Sequence, residues 1–122
     1  MRILIADDDR ILVHLVASLL RGKSHQVVPA FDAMQAFMFA MQRPMPDAVI
    51  LDLNMPGGTG IEVPKRLKSS LKTALIPVIV LGATTEAGKA SELKEVGADA
   101  FLCKPVDPAT LFATLDELVH AN

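Results

Sequence analysis

Five charged side chains stand directly behind short apolar runs. Asp7, Asp8 and Asp9 follow residues 3–6, Asp52 follows 48–51, and Lys104 follows 98–103. Two carboxylates about 4 Å apart repel by roughly 4 kcal/mol at an effective dielectric near 20. If the first and third runs are neighbouring strands, three or four carboxylates converge on one small pocket and need compensation. A divalent cation and the Lys104 ammonium are the obvious compensators. All-oxygen ligands favour Mg²⁺, Mn²⁺ or Ca²⁺ over zinc. A pocket that uses one or two carboxylates and keeps waters suits Mg²⁺ in phosphoryl chemistry, with one carboxylate as nucleophile. A lone strand-end aspartate is more simply a helix cap, and Asp8 or Asp9 is placed to cap a helix starting near Arg10. Capping does not account for convergence from separate strands.

The elements that must bring these groups together can be read from the apolar pattern. Short runs at 3–6, 26–28, 48–51, 77–81 and 98–103 alternate with helical patterns at 11–20, 33–42, about 61–70, 86–96 and 108–120. Asp107 is a good N-cap for the last helix and Pro108 a good first residue. Pro64 is tolerable early in the third helix, where its ring clash falls near the cap. Strands that are apolar on both faces indicate a parallel sheet with helices on each side. The expected fold is α/β, a doubly wound five-stranded parallel sheet of order 2-1-3-4-5, flavodoxin-like (βα)5. Ligands of such sheets bind outside the carboxyl ends of the strands, which is where Asp7, Asp8, Asp52, Gly82 and Lys104 fall.

Composition narrows the function. The 122 residues are 51% hydrophobic and 21% charged, with a net charge of −2. That balance excludes a disordered chain and speaks against direct nucleic-acid binding, which favours a basic face. One cysteine, Cys103, excludes an internal disulfide, and no zinc spacing exists. No signal segment or run of about 18 apolar residues is present, so a cytoplasmic protein without membrane partners is expected.

The stretches Ile3-Leu4-Ile5-Ala6-Asp7-Asp8-Asp9, Asp47-Ala48-Val49-Ile50-Leu51-Asp52-Leu53-Asn54-Met55-Pro56-Gly57, Pro77-Val78-Ile79-Val80-Leu81 and Gly97-Ala98-Asp99-Ala100-Phe101-Leu102-Cys103-Lys104-Pro105 together resemble the receiver domain of two-component response regulators. The resemblance covers essentially residues 1–122 as one domain. It implies that Asp52 accepts a phosphoryl group from a phosphohistidine of a sensor histidine kinase or phosphotransfer protein. It implies Mg²⁺ held by Asp8, by Asp7 through water, by Asp52 and by the backbone carbonyl of Asn54. Lys104 would pair with the phosphoryl oxygens, Pro105 would follow a cis peptide bond, and Phe101 would be the aromatic that swings between exposed and buried positions. The protein would be a switch for a downstream protein target, with at most slow self-dephosphorylation, rather than a metabolic enzyme. The face of helix 4, strand 5 and helix 5 is the expected signalling surface and a possible homodimer contact. The chain ends just after the last helix, which suits a stand-alone regulator or a domain excised from a longer chain.

One position departs from that pattern. The family places Thr or Ser after strand 4, and Gly82 stands there instead. Phosphoryl chemistry should survive, whereas its coupling to conformation comes into question. Thr84, Thr85 or a water could fill the role of the missing hydroxyl, or the receiver could signal by another route. A phosphorylation-independent interaction module is therefore an alternative. A haloacid-dehalogenase-like phosphatase using Asp7 and Asp9 is a remoter one, since Arg10 stands where that family has Gly. Gly22-Lys23-Ser24 is not a P-loop, because Ala17 occupies its first glycine position. Gly57-Gly58-Thr59-Gly60 reads as a loop where the backbone reverses near the metal, not a dinucleotide site. Phe37 and Met41 suggest a core stripe in the second helix, with Met34, Met38 and Phe39 facing out toward a partner. His14, His25 and His120 match no ligand spacing, and Cys103 is expected to be a small buried residue.

Overall fold

The computed structural model describes residues 1–55, 58–59 and 61–120. Five strands, β1 (Arg2–Ala6), β2 (Gln26–Ala30), β3 (Ala48–Asp52), β4 (Val78–Gly82) and β5 (Ala100–Cys103), form one sheet in which every paired neighbour is parallel. Their order is 2-1-3-4-5. A separate two-residue antiparallel ladder joins Asn54–Met55 to Gly58–Thr59, between β3 and β4 along the chain. Its second strand falls in the Gly57–Gly60 segment expected to be a loop, of which Gly57 and Gly60 lie outside the described residues.

Side chains alternate across the sheet, so each strand feeds two cores. Leu4, Val49, Leu51, Val78 and Val80 pack with the helices α2 (Ala33–Met41), α3 (Glu62–Ser69) and α4 (Ala90–Glu95). Ile3, Ile5, Ile50, Ile79 and Leu81 pack on the other face with α1 (Arg10–Gly22) and α5 (Pro108–Val119). All five residues of β3 and of β4 are buried, as strands covered on both faces must be. β2 is an edge strand, which is why it can carry Pro29, a residue with no N–H for a further ladder.

Helix starts follow side-chain chemistry. Asp9 Oδ1 accepts from the N–H groups of Ile11 and Leu12 at 3.0 and 3.2 Å, fixing the start of α1. Asp107 does the same for α5 through Thr110 N at 3.0 Å, with Pro108 as first helical residue. Asp32 caps α2 through Gln35 N at 2.7 Å. Pro64 falls in the first turn of α3, where a missing N–H costs no helical bond.

Four expectations are corrected. Residues 86–96 are not one helix: a 3₁₀ segment spans Thr84–Lys89 and α4 follows it. Gly88 weakens a helix there, and no side-chain cap starts α4. β5 begins at Ala100 rather than at Ala98, because the Ala98 N–H donates back to Leu93 O across the turn at Gly97, whose φ is +104°. Cys103 is exposed rather than buried, since it is the last residue of an edge strand whose earlier residues alone pack against the two cores. Phe39 packs partly against the core instead of facing out, because Ala33, Ala36 and Ala40 leave room for the flanking Phe37 and Phe39 rings. Met34 and Met38 are exposed as expected, at 70% and 50%. Among the described residues no helix is long and apolar enough to cross a membrane.

Candidate functional site

β1 and β3 are adjacent, and both end at the same edge of the sheet. This places Asp7, one residue beyond β1, beside Asp52, the last residue of β3. Asp7 is 1% exposed and Asp52 6%, while Asp8 points to solvent. Carboxylate oxygens of Asp7, Asp8 and Asp52 lie within 4.8 Å of one another. The backbone of Asp7 continues the ladder by donating to Ala30 O at 3.1 Å, which holds its side chain in place.

Lys104 reaches this cluster from β5. Its N–H donates to Gly82 O at 2.8 Å, extending the β4–β5 pairing by one bond. Its Nζ lies 2.9 Å from Asp7 Oδ2 and 2.9 Å from Asp52 Oδ1, a single ammonium bridging two buried carboxylates. The peptide bond between Lys104 and Pro105 is cis, as is that between Arg43 and Pro44. Asp7 Oδ1 accepts from Asp9 N at 2.9 Å, so both of its oxygens are engaged. Oδ1 of Asp52 is held by Lys104, and among the described residues no donor is bonded to its Oδ2.

The electrostatics follow from burial and crowding. Burial pushes the Asp7 carboxyl above its ordinary range, against the Asp9 N–H and the Lys104 ammonium, and the neighbouring Asp52 charge adds to the rise. Burial acts against the Lys104 charge as well, but hydrogen bonds and attraction from Asp52 and Asp7 outweigh it and hold that ammonium above its ordinary range. Three carboxylates cluster around a pocket whose one ammonium pairs with two of them, which leaves excess negative charge on an all-oxygen donor set. That donor set fits a hard divalent cation such as Mg²⁺.

Around the pocket stand the remaining residues singled out from sequence. Asn54 is exposed, and its Nδ2 donates to Glu86 Oε2 at 2.7 Å. Gly82 is covered by the Phe101 ring: a Cβ on Gly82 would come within 2.9 Å of Phe101 Cε2 and Cζ. Phe101 is half-buried and packs against the core cluster under α2–α4. Thr84 and Thr85 are exposed at the start of the 3₁₀ segment. Asp9 spends Oδ1 on capping α1, a role at odds with the acid/base duty that the phosphatase alternative required of it.

Sequence reasoning missed Glu86. Its Oε1 accepts from Ala83 N at 2.9 Å and its Oε2 from Asn54, and those two bonds hold its carboxyl below the ordinary range. A glutamate three residues after Ala83, itself next to the last residue of β4, was the available signal. Without a Ser or Thr at the Ala83 position, the pattern did not read as a capping box.

The family model of the response regulator receiver domain matches residues 3–116. The response regulator PleD of Caulobacter vibrioides is 37% identical over 119 residues, which are 98% of this chain and 26% of PleD. Protein PilH of Pseudomonas aeruginosa is 33% identical over 120 residues, 97% of this chain and 97% of PilH. The chain spans about a quarter of PleD and about half of the phosphate regulon regulator PhoB of Pseudomonas aeruginosa. The chemotaxis response regulator CheY4 of Vibrio cholerae superposes with a TM-score of 0.88 at 32% identity, covering 96% of this chain and 97% of that one. With the five-stranded parallel sheet and these matches over almost its whole length, the chain belongs to the response regulator receiver domain family.

Proposed function

We propose that the chain is a phosphorylation-controlled signalling domain in which Asp52 is the phosphoacceptor. The observation that carries this reading is Lys104 bridging Asp7 and Asp52 at 2.9 Å each, with one oxygen of Asp52 left for attack. Asp7, by contrast, has both oxygens engaged and is nearly inaccessible. In the reaction, Asp52 Oδ2 attacks the phosphorus of a phosphohistidine on a kinase or phosphotransfer protein. A P–O bond forms, the P–N bond breaks, and the imidazole takes up a proton. Asp8, Asp52, the Asn54 carbonyl and, through water, Asp7 would hold Mg²⁺, whose charge would offset that of the phosphoryl group. Lys104 supplies a fixed positive charge where negative charge builds up.

The product is a switch rather than a turnover catalyst, and its reader is a downstream protein. The face of α4, β5 and α5 is the proposed output surface and the proposed contact of a homodimer. Residues 1–122 act as one domain in this reading, in the cytoplasm. A second reading, a phosphorylation-independent interaction module, is favoured by Gly82, which offers no hydroxyl to a phosphoryl group and is covered by Phe101.

Intact mass after incubation with phosphoramidate and Mg²⁺ separates the two. Gain of one phosphoryl group, absent without Mg²⁺ and absent in Asp52→Asn, is the expected result. A folded, Mg²⁺-binding chain that gains nothing would establish the interaction module instead.

A further inference from the structure

Glu86 ties the rim of the pocket together. Its carboxylate takes the N–H of Ala83, just after β4, and the side-chain amide of Asn54, two residues beyond Asp52. These are charge-assisted hydrogen bonds, stronger than neutral ones. Lys89 Nζ stands 3.9 Å from Glu86 Oε2, and the Lys104 charge also reaches this carboxylate. Glu86 Oε1 would be 3.4 Å from a Cβ on Gly82, so the absence of a side chain at Gly82 leaves the carboxylate lying close to the end of β4. β4 is the strand paired with β3, where Asp52 faces Leu81. An internal anion therefore occupies two donors on the rim, one just beyond the end of β4 and one two residues beyond the proposed phosphoacceptor.

The same carboxylate holds the following segment. Glu86 N donates to Ala83 O at 2.8 Å while Ala83 N donates to Glu86 Oε1 at 2.9 Å, a reciprocal clasp at the start of the 3₁₀ turn. Such turns are short and poorly bonded. No residue between Thr84 and Lys89 is buried, so little packing backs up this clasp.

We propose that Glu86 is an anionic latch: it holds the Ala83 N–H and the Asn54 amide in the unphosphorylated chain, and a phosphoryl group on Asp52 displaces it and releases residues 84–89. The inference rests on the reading of Asp52 as phosphoacceptor. A phosphoryl group carries up to two negative charges and strong acceptor oxygens. It competes with Glu86 for the same donors and repels the carboxylate at close range. Movement of Glu86 opens the clasp, and the 3₁₀ segment and the N-terminus of α4 loosen. The switch then needs no hydroxyl at Gly82.

The test uses the whole chain, phosphoramidate with Mg²⁺, and three proteins: wild type, Glu86→Ala and Glu86→Gln. Amide hydrogen exchange of residues 83–90 and the Glu86 side-chain carboxyl resonance are read before and after phosphorylation. Phosphorylation of wild type should shift that resonance and remove protection at 84–89. Unphosphorylated Glu86→Ala should already exchange like phosphorylated wild type, and phosphorylation should change it no further. Glu86→Gln keeps an acceptor for Ala83 without the charge. It should retain protection yet accept the phosphoryl group about fivefold faster than wild type, the effect of losing a like-charge contact of roughly 1 kcal/mol. A phosphoryl gain with an unmoved Glu86 resonance and intact protection would overturn the latch alone. Equal phosphorylation rates in wild type and Glu86→Gln would also overturn it. No phosphoryl gain in any of the three would refute the acceptor reading and the latch together.

Discussion

Lys104→Met removes the ammonium and keeps most of the apolar stem, so its effect isolates the charge. Each of the two contacts is 2.9 Å long, which corresponds to about 6 kcal/mol of attraction at an effective dielectric of 20 before desolvation is subtracted. Removing one partner of a buried pair costs about 3–5 kcal/mol. The Lys104 side chain is 29% exposed, so screening favours the low end, about 3 kcal/mol. With an unfolding entropy of about 2.1 cal/mol/K per residue, that is a loss of about 12 °C in Tm. The assay is thermal unfolding in a chelator and in saturating Mg²⁺. Mg²⁺ should recover more Tm in the variant than in wild type, because the variant presents uncompensated carboxylates. The pH dependence in chelator has a defined sign. The Asp7 carboxyl is raised in the native state, so its contribution to stability is favourable in acid and is lost as pH rises from about 3.8 through the native value. The Lys104 contribution is present below about 10.5 and is lost as pH rises through its raised native value. The penalty of Lys104→Met is therefore largest near neutrality and shrinks toward both extremes. A variant melting within about 2 °C of wild type in chelator at neutral pH would refute the account of how this pocket is held.

Other outcomes follow from the same geometry. Gly82→Ala places a Cβ within 2.9 Å of two Phe101 ring atoms, so the ring must move outward; aromatic NMR of Phe101 should show new shifts without phosphorylation, and unchanged shifts would contradict the packing. Gly82→Thr displaces the ring likewise and adds a hydroxyl, which should enlarge the phosphorylation-dependent change while leaving Mg²⁺ affinity unaltered; equal shift changes in both proteins on binding a phosphoryl mimic would count against it. Gly97→Ala would clash with Lys68 Cγ and sit at an unfavourable φ of +104°, and should lower stability by about 1–3 kcal/mol in urea unfolding. Cys103 is exposed, so it should react with a thiol reagent in the native protein at a rate close to that in denaturant.

Strand identity and the acidic pocket were legible because both depend on local sequence. Runs such as 48–51 are apolar at every position, too short for a helix and suited to a strand covered on two faces, and the charges directly behind them fall at the carboxyl end of the sheet. The cap Asp107 was legible for the same reason, sitting one residue before a helical pattern, whereas the α1 cap was narrowed only to Asp8 or Asp9 and the structure selects Asp9. Features set by tertiary neighbours were not. Cys103 reads as buried by residue type, yet its strand is an edge. The bond between Asn54 and Glu86 joins residues 32 apart with no shared periodicity. Gly82 showed in the sequence as a missing hydroxyl, whereas the ring of Phe101 lying across it needed coordinates. Residues 86–89 read as the start of a helix, whereas the 3₁₀ segment at Thr84–Lys89 begins at a clasp between Ala83 and Glu86 that no periodicity announces.

The central claim is that Asp52, and no neighbouring carboxylate, receives the phosphoryl group. Borohydride reduction of the phosphorylated chain converts an aspartyl phosphate into homoserine, which peptide mass spectrometry locates. Homoserine at position 52 alone is the predicted result. Homoserine at position 7 or 8, or a phosphorylated chain with Asp52 intact, would contradict it.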